Sequence, residues 1–530
     1  MNLHRRTFLK QLGFGTAGLG LLSTFPGCFT PQQAVGGHLP RSTPEAQGVT
    51  SEGILRFLEA AGKSRHEFHS FMMVRHGCVV AEGWWTPYRP QAKHMLYSLS
   101  KSFTSTAVGF AVAEGRLTVE DPVTSFFPGD LPEKTEGHLA ELRVKHLLTM
   151  SVGQSRDSMP IIGKEQNWVR SFLALPVDNP PGSVFLYNSG ATYMLSAIVQ
   201  KVSGQKVIDY LRPRLFDPLQ IRGMTWETCP LGINTGGWGL SVQTETLAKF
   251  GRFYLQNGAW NGRQILPQAW VHEATSFKIQ QSAPKGGDLE KLKQTSDWHQ
   301  GYCYQFWRCR HNAFRGDGAF GQYMIAMPDH DAVIAITCET SDMQGELNLV
   351  WDHLLPAIKE TPLTADPSVH AELEAKLVSL ALPLPAPSPA PATAAGISGR
   401  TFQIEPTAAG LRTAAFQFHR EYCDIVLTDD KNRYAVRCGL GKWVDGECSL
   451  PGTPPKITVG DLRPCKIAAA GRWKDESTFE MIWRYYETPH HDTVTCHFEG
   501  NAVTMEFHNS IPGHAETRPV LRGNVFHSRS

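Results

Sequence analysis

The first two thirds of the chain alternate between stretches with helical spacing of apolar residues and short strand-like runs. Apolar residues three or four positions apart predict helices, here over residues 53–61, 101–113, 191–202 and 346–358. Tight turns between apolar runs predict two hairpins, formed by residues 71–75 with 78–82 and by residues 323–327 with 332–337. Strands at both ends with helices between them are typical of an α+β domain, an antiparallel sheet flanked by helices, in which the later hairpin joins strands from the start of the chain.

The pattern changes after residue 399, where short alternating runs are separated by turn residues. We expect a small all-β domain there, and both a β-sandwich and a lipocalin-like barrel fit the pattern. The uncharged, Pro/Ala-rich residues 383–396 predict an extended spacer, preceded by a helix over residues 369–380 that caps the first domain. The predicted boundaries are 29–362 for the first domain, 363–398 for the helix and linker, and 399–525 for the β domain.

The first residues are predicted to form an export signal rather than part of the folded domain. The pair Arg5 and Arg6 precedes an apolar stretch, residues 12–25, that is too short to span a bilayer comfortably, which is typical of a Tat-type export signal over residues 1–28. A basic start followed by a short core helix is the alternative. Cys28 follows a glycine, as at a lipoprotein cleavage site, but the residues before it match poorly, so a lipid tether stays open. We therefore expect a periplasmic or cell-envelope protein.

The charge balance and the cysteine content limit which partners and cofactors the protein is expected to have. Lys plus Arg total 51 against 50 for Asp plus Glu, so no net field would attract nucleic acid, and no nucleic-acid partner is expected. Ten cysteines follow Cys28, and five lie after residue 420, a density that predicts one or two disulfides in an oxidising compartment. The chain has no Cys-x-x-Cys pair, and we expect neither metal nor cofactor. Some histidines are interpreted as surface or structural groups rather than ligands: His66, His69, His490 and His491.

Residues 97–101 read YSLSK and contain a Ser-x-x-Lys motif, which places the Ser98 hydroxyl and the Lys101 amine one helical turn apart. The spacing alone is weak, because residues 203–206 and 282–285 match it too. Lys101, however, is the only ionisable side chain besides Tyr97 between residues 95 and 113, so this helix should be buried and its amine should have a lowered pKa. The alternative is a lysine that reaches from the helix start to solvent.

Two later segments could complete such a site. Residues 187–189 read YNS, and on their own Tyr187 could be a half-buried structural tyrosine and Ser189 a helix cap. Residues 316–322 read GDGAFGQ and enter an apolar strand. Their glycines permit close approach of the backbone to a ligand, although a flexible turn has the same composition.

Together, in this order, these motifs resemble the serine β-lactamase and penicillin-binding protein family over about residues 40–360, especially its class C-like esterase and 6-aminohexanoate-dimer hydrolase type. Residues 147–151 and 236–241 add supporting matches. The resemblance implies an acyl-accepting nucleophile, a residue that shares its proton, a base or acid, and two oxyanion-hole N–H groups, which would be Ser98, Lys101, Tyr187, and the backbone of Ser98 and Ala319. It further implies substrate contacts from Asn188, Ser189, Gly318 and Phe320.

One departure from the family limits the substrate. β-Lactamases and transpeptidases of this family carry Lys-Thr-Gly on the strand beside the site, whereas this chain has Gly-Asp-Gly at residues 316–318. Arg315 is a candidate for the missing cation, although the sequence does not show that its side chain points inward. We therefore expect hydrolysis of a small ester or amide through an acyl-enzyme on Ser98. A β-lactamase or D-amino-peptide hydrolase, or a non-catalytic envelope protein that binds through residues 399–525, are the alternatives. Cleft loops are expected at residues 155–170 and 278–298.

Overall fold

The computed structural model describes residues 37–386, 388–453, 463–511 and 518–526. The predicted signal over residues 1–28 and the candidate lipidation site Cys28 lie outside these ranges, so export and tethering stay predictions. Among the described residues, no helix has the length and apolar character needed to cross a membrane.

The helices and strands follow the order that the apolar pattern predicts. The helices of the first part are α1 (Ser51–Lys63), α2 (Ser100–Ala113), α3 (His138–Glu141), α4 (Val144–Leu148), α5 (Met159–Ile162), α6 (Trp168–Leu173), α7 (Ser189–Ser203), α8 (Val207–Leu211), α9 (Thr244–Leu255), α10 (Gln268–Thr275), α11 (Leu289–Thr295), α12 (Met343–Leu349) and α13 (Pro367–Val378). The strands are β1 (Glu67–Arg75), β2 (Cys78–Trp84), β3 (His94–Met95), β4 (Thr225–Trp226), β5 (Leu240–Val242), β6 (Ala259–Trp260), β7 (Arg263–Gln264), β8 (Trp307–Arg308), β9 (Phe314–Gly318), β10 (Gln322–Met327) and β11 (Ala332–Glu339).

A six-stranded antiparallel sheet in the order β2-β1-β11-β10-β9-β8 forms the centre of this part. Both predicted hairpins are present, as β1 with β2 and β10 with β11. The later hairpin joins the first through β1 and β11, which places Glu67 opposite Glu339. Strand β9 then lies three positions from β1, separated from it by β11 and β10, and its end meets the start of α2. The domain is thus an α+β fold, an antiparallel sheet flanked by helices, as the sequence predicts.

Helix α2 is buried along nearly its whole length, as its shortage of charge predicts. The helix expected over residues 346–358 is shorter than predicted. It begins at Met343 and ends at Leu349, and a wider turn over Val350–Leu354 and a tighter one over Leu355–Ala357 replace the rest. Pro356 lacks an N–H group and cannot continue the regular hydrogen-bond ladder, which accounts for the change.

The C-terminal part is a β-barrel. After helix α14 (Ala392–Ile397), its strands are β12 (Thr401–Ile404), β13 (Thr413–Phe418), β14 (Tyr422–Thr428), β15 (Arg433–Leu440), β16 (Val444–Cys448), β17 (Cys465–Trp473), β18 (Thr478–Arg484), β19 (His491–Glu499), β20 (Ala502–Asn509) and β21 (Leu521–Val525). The sheet runs β15-β14-β13-β12-β21-β20-β19-β18-β17-β16, and a further pairing of β15 with β17 closes it. This pairing joins the two ends of the sheet, which selects the barrel over the sandwich.

Two expectations for the second half are wrong. Residues 392–397 form helix α14 instead of extended spacer, because Ala394 and Ile397 bury their side chains in the barrel core. The ten cysteines among the described residues are all free thiols, so no disulfide is present there. Cys423 and Cys438 lie opposite each other on β14 and β15, but both are packed in the barrel core, where a thiol acts as a small apolar side chain.

Candidate active site

Ser98 lies in a single tight turn, Tyr97–Leu99, that leads directly into α2. One helical turn later, the Lys101 amine donates a hydrogen bond to Ser98 Oγ at 3.0 Å. The same nitrogen donates to Ser189 Oγ at 3.2 Å and to the carbonyl oxygen of Gly237 at 2.7 Å. Gly237 lies in the 236–241 segment, whose Leu240 pairs back to the residues before Ser98. Three separate parts of the chain therefore meet at one nitrogen atom.

Lys101 is 2% exposed, and this burial lowers the pKa of its amine to about 7, although the carboxylates of Asp157 and Asp317 act in the opposite direction. Near neutral pH a large fraction of the amine is therefore uncharged and carries a lone pair. The Gly237 carbonyl can only accept a hydrogen bond, and so it fixes one N–H of the amine. With a second N–H directed to Ser189, the lone pair of the neutral amine can face Ser98.

Tyr187 approaches the same pair from the loop before α7. Its ring stacks on Trp307 at a centroid distance of 5.6 Å, and Lys101 Nζ lies 4.8 Å from the centroid of the Tyr187 ring. Burial, with the charge of Asp317, raises the pKa of the Tyr187 phenol well above its usual value, although a hydrogen bond with Ser98 acts against this. At neutral pH the phenol is thus protonated and can donate a proton.

The residues that follow Tyr187 organise this loop. Asn188, not Ser189, caps helix α7, since its Oδ1 accepts from the backbone N–H groups of Gly190 and Ala191 at 3.0 and 3.3 Å. Its Nδ2 donates to Gln154 at 2.7 Å and its side chain is buried. Asn188 is therefore placed to position its neighbours rather than to contact a substrate, which differs from the sequence-based expectation. Ser189 instead directs its hydroxyl to Lys101.

The end of β9 lies against the nucleophile turn. A Cβ atom on Gly318 would lie 2.0 Å from the carbonyl oxygen of Leu96, so only glycine permits this approach. Ala319 and Phe320 follow at the rim, both half-buried. The N–H groups of Ser98 and Ala319, the expected oxyanion donors, thus come from two segments in direct contact.

Arg315 does not replace the cation that the family carries beside the site. Its guanidinium is fully buried under Trp298 and Trp307, and it forms an ion pair with Asp317 at 3.0 Å. It also donates to the backbone oxygen of Asp297 at 2.8 Å. Because of these contacts, the guanidinium of Arg315 is not available to bind a substrate carboxylate. The predicted cleft loops contribute Asp157 and Trp298 to these surroundings.

The described residues contain one group with metal-ligand spacing, in which donor atoms of Glu67, Glu339 and His491 lie within 4.8 Å of one another. Its carboxylates are already engaged. Arg484 donates to both oxygens of Glu67 at 2.5 and 3.1 Å, and His490 lies 2.6 Å from Glu339. Because barrel side chains supply these partners, the group fits ion pairs between the barrel and the hydrolase domain better than a metal site.

His490 is the residue near the site that the sequence does not indicate. The sequence predicts a surface or structural histidine, and the structure supports the second alternative. The side chain is fully buried, and its Nε2 lies 2.5 Å from the hydroxyl of Tyr97, the residue before Ser98. His69 is likewise fully buried, at 3.1 Å from His94. No local pattern marks His490, since it comes from the loop between β18 and β19, almost 400 residues after Tyr97.

The sequence comparison with known proteins supports a β-lactamase/transpeptidase-like fold for the first domain. A family model described as Beta-lactamase matches residues 63–355, which include Ser98, Lys101, Tyr187 and Ala319. A 6-aminohexanoate-dimer hydrolase from Paenarthrobacter ureafaciens is 27% identical over 288 residues, covering 50% of this chain and 71% of the relative. A β-lactamase from Escherichia coli strain K12 is 27% identical over 152 residues, covering 27% of this chain and 37% of the relative. The structure of an octameric penicillin-binding protein homologue from Pyrococcus abyssi has 16% identity and a TM-score of 0.44, covering 89% of this chain and 99% of that one.

Proposed function

Since this chain belongs to the Beta-lactamase family of serine hydrolases, we propose that it cleaves a small ester or amide through a covalent acyl-enzyme on Ser98. The observation that supports this most strongly is the buried Lys101 amine, 3.0 Å from Ser98 Oγ with a pKa of about 7. A neutral amine at that distance can take the serine proton without the help of a second base.

In the proposed reaction, Ser98 Oγ attacks the substrate carbonyl carbon while its proton passes to Lys101 Nζ. The tetrahedral oxyanion then faces the N–H groups of Ser98 and Ala319. When the bond to the leaving group breaks, the Tyr187 hydroxyl donates its proton to the departing oxygen or nitrogen, and Lys101 returns a proton to Tyr187. Water then attacks the acyl-enzyme, gives its proton to the same pair, and Ser98 Oγ is released with a proton.

The charges around the site favour neutral or amine-bearing substrates over anionic ones. Arg315 is engaged with Asp317, so it is not free to bind a carboxylate. Asp157 is half-buried, and its Oδ1 accepts from the N–H of Ser189 at 3.0 Å, which holds a carboxylate at the edge of the site. We therefore propose that the acyl or leaving group carries no carboxylate near the scissile bond.

Active-site labelling tests the nucleophile. We expect a fluorophosphonate probe to label the wild type and not Ser98→Ala, and p-nitrophenyl butyrate turnover to fall at least ~10³-fold in that variant. Ser282→Ala is the matched control, because Ser282 is the exposed serine of another Ser-x-x-Lys match, and it should keep wild-type rates. Equal labelling of wild type and Ser98→Ala would refute the assignment.

Substrate charge is tested separately. We expect an amine-bearing p-nitrophenyl ester to be preferred over a matched neutral ester, and Asp157→Asn to reduce that preference about fivefold, since an exposed charge pair contributes about 1 kcal/mol. Asparagine can still accept the hydrogen bond from Ser189. Efficient hydrolysis of nitrocefin, which carries a carboxylate, would contradict this proposal and favour β-lactamase activity.

A further inference from the structure

The loop between β18 and β19 of the barrel places His490 against the nucleophile turn. His490 Nε2 lies 2.5 Å from the Tyr97 hydroxyl, and its Nδ1 lies 2.6 Å from Oε1 of Glu339 at the end of β11. The Ser510 hydroxyl, also from the barrel, donates to the same oxygen of Glu339 at 2.5 Å. A continuous hydrogen-bonded chain therefore runs from the central sheet, through the barrel, to the residue before Ser98.

The protons in this chain have one consistent arrangement. Burial opposes ionisation of Glu339, but hydrogen bonds from His490 and His491 outweigh it and hold the pKa of this carboxyl well below its usual range. Burial, together with the charge of Glu339, raises the pKa of Tyr97 well above its usual value. Glu339 is thus an ionised acceptor and Tyr97 a donor. His490 must then donate from Nδ1 to Glu339 and accept from Tyr97 at Nε2.

The His490 imidazole also contacts Phe320, the residue after the second expected oxyanion donor, Ala319. Phe320 packs edge-on against His490 at a centroid distance of 4.7 Å and against Tyr97 at 5.3 Å. Tyr97 and Phe320 have φ angles of 48° and 67°, a left-handed conformation that is strained for residues other than glycine. These two residues are the immediate neighbours of Ser98 and Ala319. One barrel side chain therefore contacts the strained residue beside each oxyanion donor.

An ion pair between the barrel and the hydrolase sheet helps to hold His490 in place. Arg484 at the end of β18 is buried and holds Glu67 in a two-pronged ion pair, beside Glu339 on the neighbouring strand. Burial alone would raise the pKa of Glu67, but Arg484 and His69 outweigh this and lower it to about 2. His490 therefore extends from a loop whose preceding strand is anchored on the hydrolase sheet.

We propose that His490 is a positioning residue for the oxyanion hole, so that the C-terminal barrel completes the active site of the hydrolase domain. This rests on the proposed acyl transfer at Ser98. The Tyr97–His490 hydrogen bond and the Phe320 contact hold the N–H groups of Ser98 and Ala319 in the orientation that the tetrahedral intermediate needs. His490 itself does not touch the substrate or exchange protons with it.

The test uses the full-length protein with Tyr97→Phe, His490→Ala, His490→Gln and the double variant Tyr97→Phe/His490→Ala. We expect kcat for p-nitrophenyl butyrate and the rate of fluorophosphonate labelling to fall about 10- to 100-fold in the first two variants, with KM changed less than about threefold. The double variant should lose no more than His490→Ala, because one interaction is removed twice. Glutamine can still accept from Tyr97, so His490→Gln should recover part of the rate. His497→Gln, an exposed histidine on β19, is the matched control.

Three results would overturn the proposal: a folded His490→Ala protein with wild-type kcat, additive losses in the double variant, or a loss that appears in KM alone. If His490→Ala does not fold, Tyr97→Phe removes the same hydrogen bond from the other side, and a wild-type kcat there overturns the proposal equally. Labelling that persists in Ser98→Ala would instead refute the proposed function, which keeps the two failures distinct.

Discussion

The pH dependence of acylation provides a direct test of the site. Lys101 is surrounded by protein and its amine has a pKa of about 7, against 10.5 for a lysine in water. Only the uncharged amine can accept the proton of Ser98. Acylation should therefore be slow in acid, rise as pH passes through about 7, and level off above about pH 8.

The size of the change follows from the fraction of neutral amine. With a pKa of about 7, roughly one eleventh of the amine is neutral at pH 6 and roughly ten elevenths at pH 8, so the rate should rise about tenfold between them. Asp157 raises the pKa of Lys101 by its negative charge, so Asp157→Asn should move the midpoint to lower pH. The shift should be less than about one pH unit, because Asp157 is half-buried and partly screened.

The assay is the second-order rate of fluorophosphonate labelling between pH 5 and 9, since this reaction reports acylation without the later hydrolysis step. Lys249→Gln is the control, because Lys249 is another buried lysine with a lowered pKa that contacts the backbone of Gly37 and Gln220, away from Ser98. It should keep the wild-type midpoint. A midpoint near 10, or one that Asp157→Asn leaves in place, would refute the assignment of Lys101 as the base.

Three further predictions address other groups. Tyr187→Phe should lower hydrolysis of anilide amides about 10²- to 10³-fold while labelling by p-nitrophenyl esters changes little, because only the poor leaving group needs a proton; equal losses for both substrates would contradict this. Lys101→Met tests the stability effect of the buried amine. In the wild type, the folded protein binds the lysine proton only below about pH 7, whereas the unfolded chain binds it up to about pH 10.5. The unfolding free energy of the wild type therefore rises with pH between these values. The variant should gain about 2 kcal/mol more in unfolding free energy relative to wild type at pH 6 than at pH 8.5, measured by urea denaturation, and a pH-independent difference would refute it. Gly318→Ala should lower the free energy of unfolding by about 1–3 kcal/mol and abolish most fluorophosphonate labelling, because the new Cβ meets the Leu96 carbonyl. Gly446→Ala on β16 is the control and should change neither, because the nearest atom to its Cβ is 3.6 Å away.

Much of the hydrolase fold is predictable from local pattern. The hairpins at residues 71–82 and 323–337 are marked by apolar runs around short polar turns, and the near absence of charge around Lys101 predicts the buried helix α2. The spacing of Ser98 and Lys101 then places their side chains together, because both lie on one turn of the same chain segment. Local geometry determines these features, and for this reason they can be predicted from the sequence.

Other features depend on contacts that no local pattern encodes. The pairing of Arg315 with Asp317 could have been expected, since residues two apart on a strand face the same side. The approach of His490 to Tyr97 could not, because it depends on how the closed barrel docks on the central sheet. The helix at residues 392–397 likewise reflects tertiary packing, because it forms where Ala394 and Ile397 pack in the barrel core.

The placement of Glu67 opposite Glu339 has a consequence for how this protein can be divided. A chain cut after α13 would keep two neighbouring carboxylates and lose both Arg484 and His490, the cations and donors that compensate them. Two like charges at that distance cannot both stay ionised cheaply, so the shortened protein should need acid to remain folded. Intact protein should accordingly melt in one calorimetric transition that includes both halves. The ion pairs thus couple the hydrolase to its barrel, and a chimera that takes one half from a relative should fold well only if the charges on both sides change together.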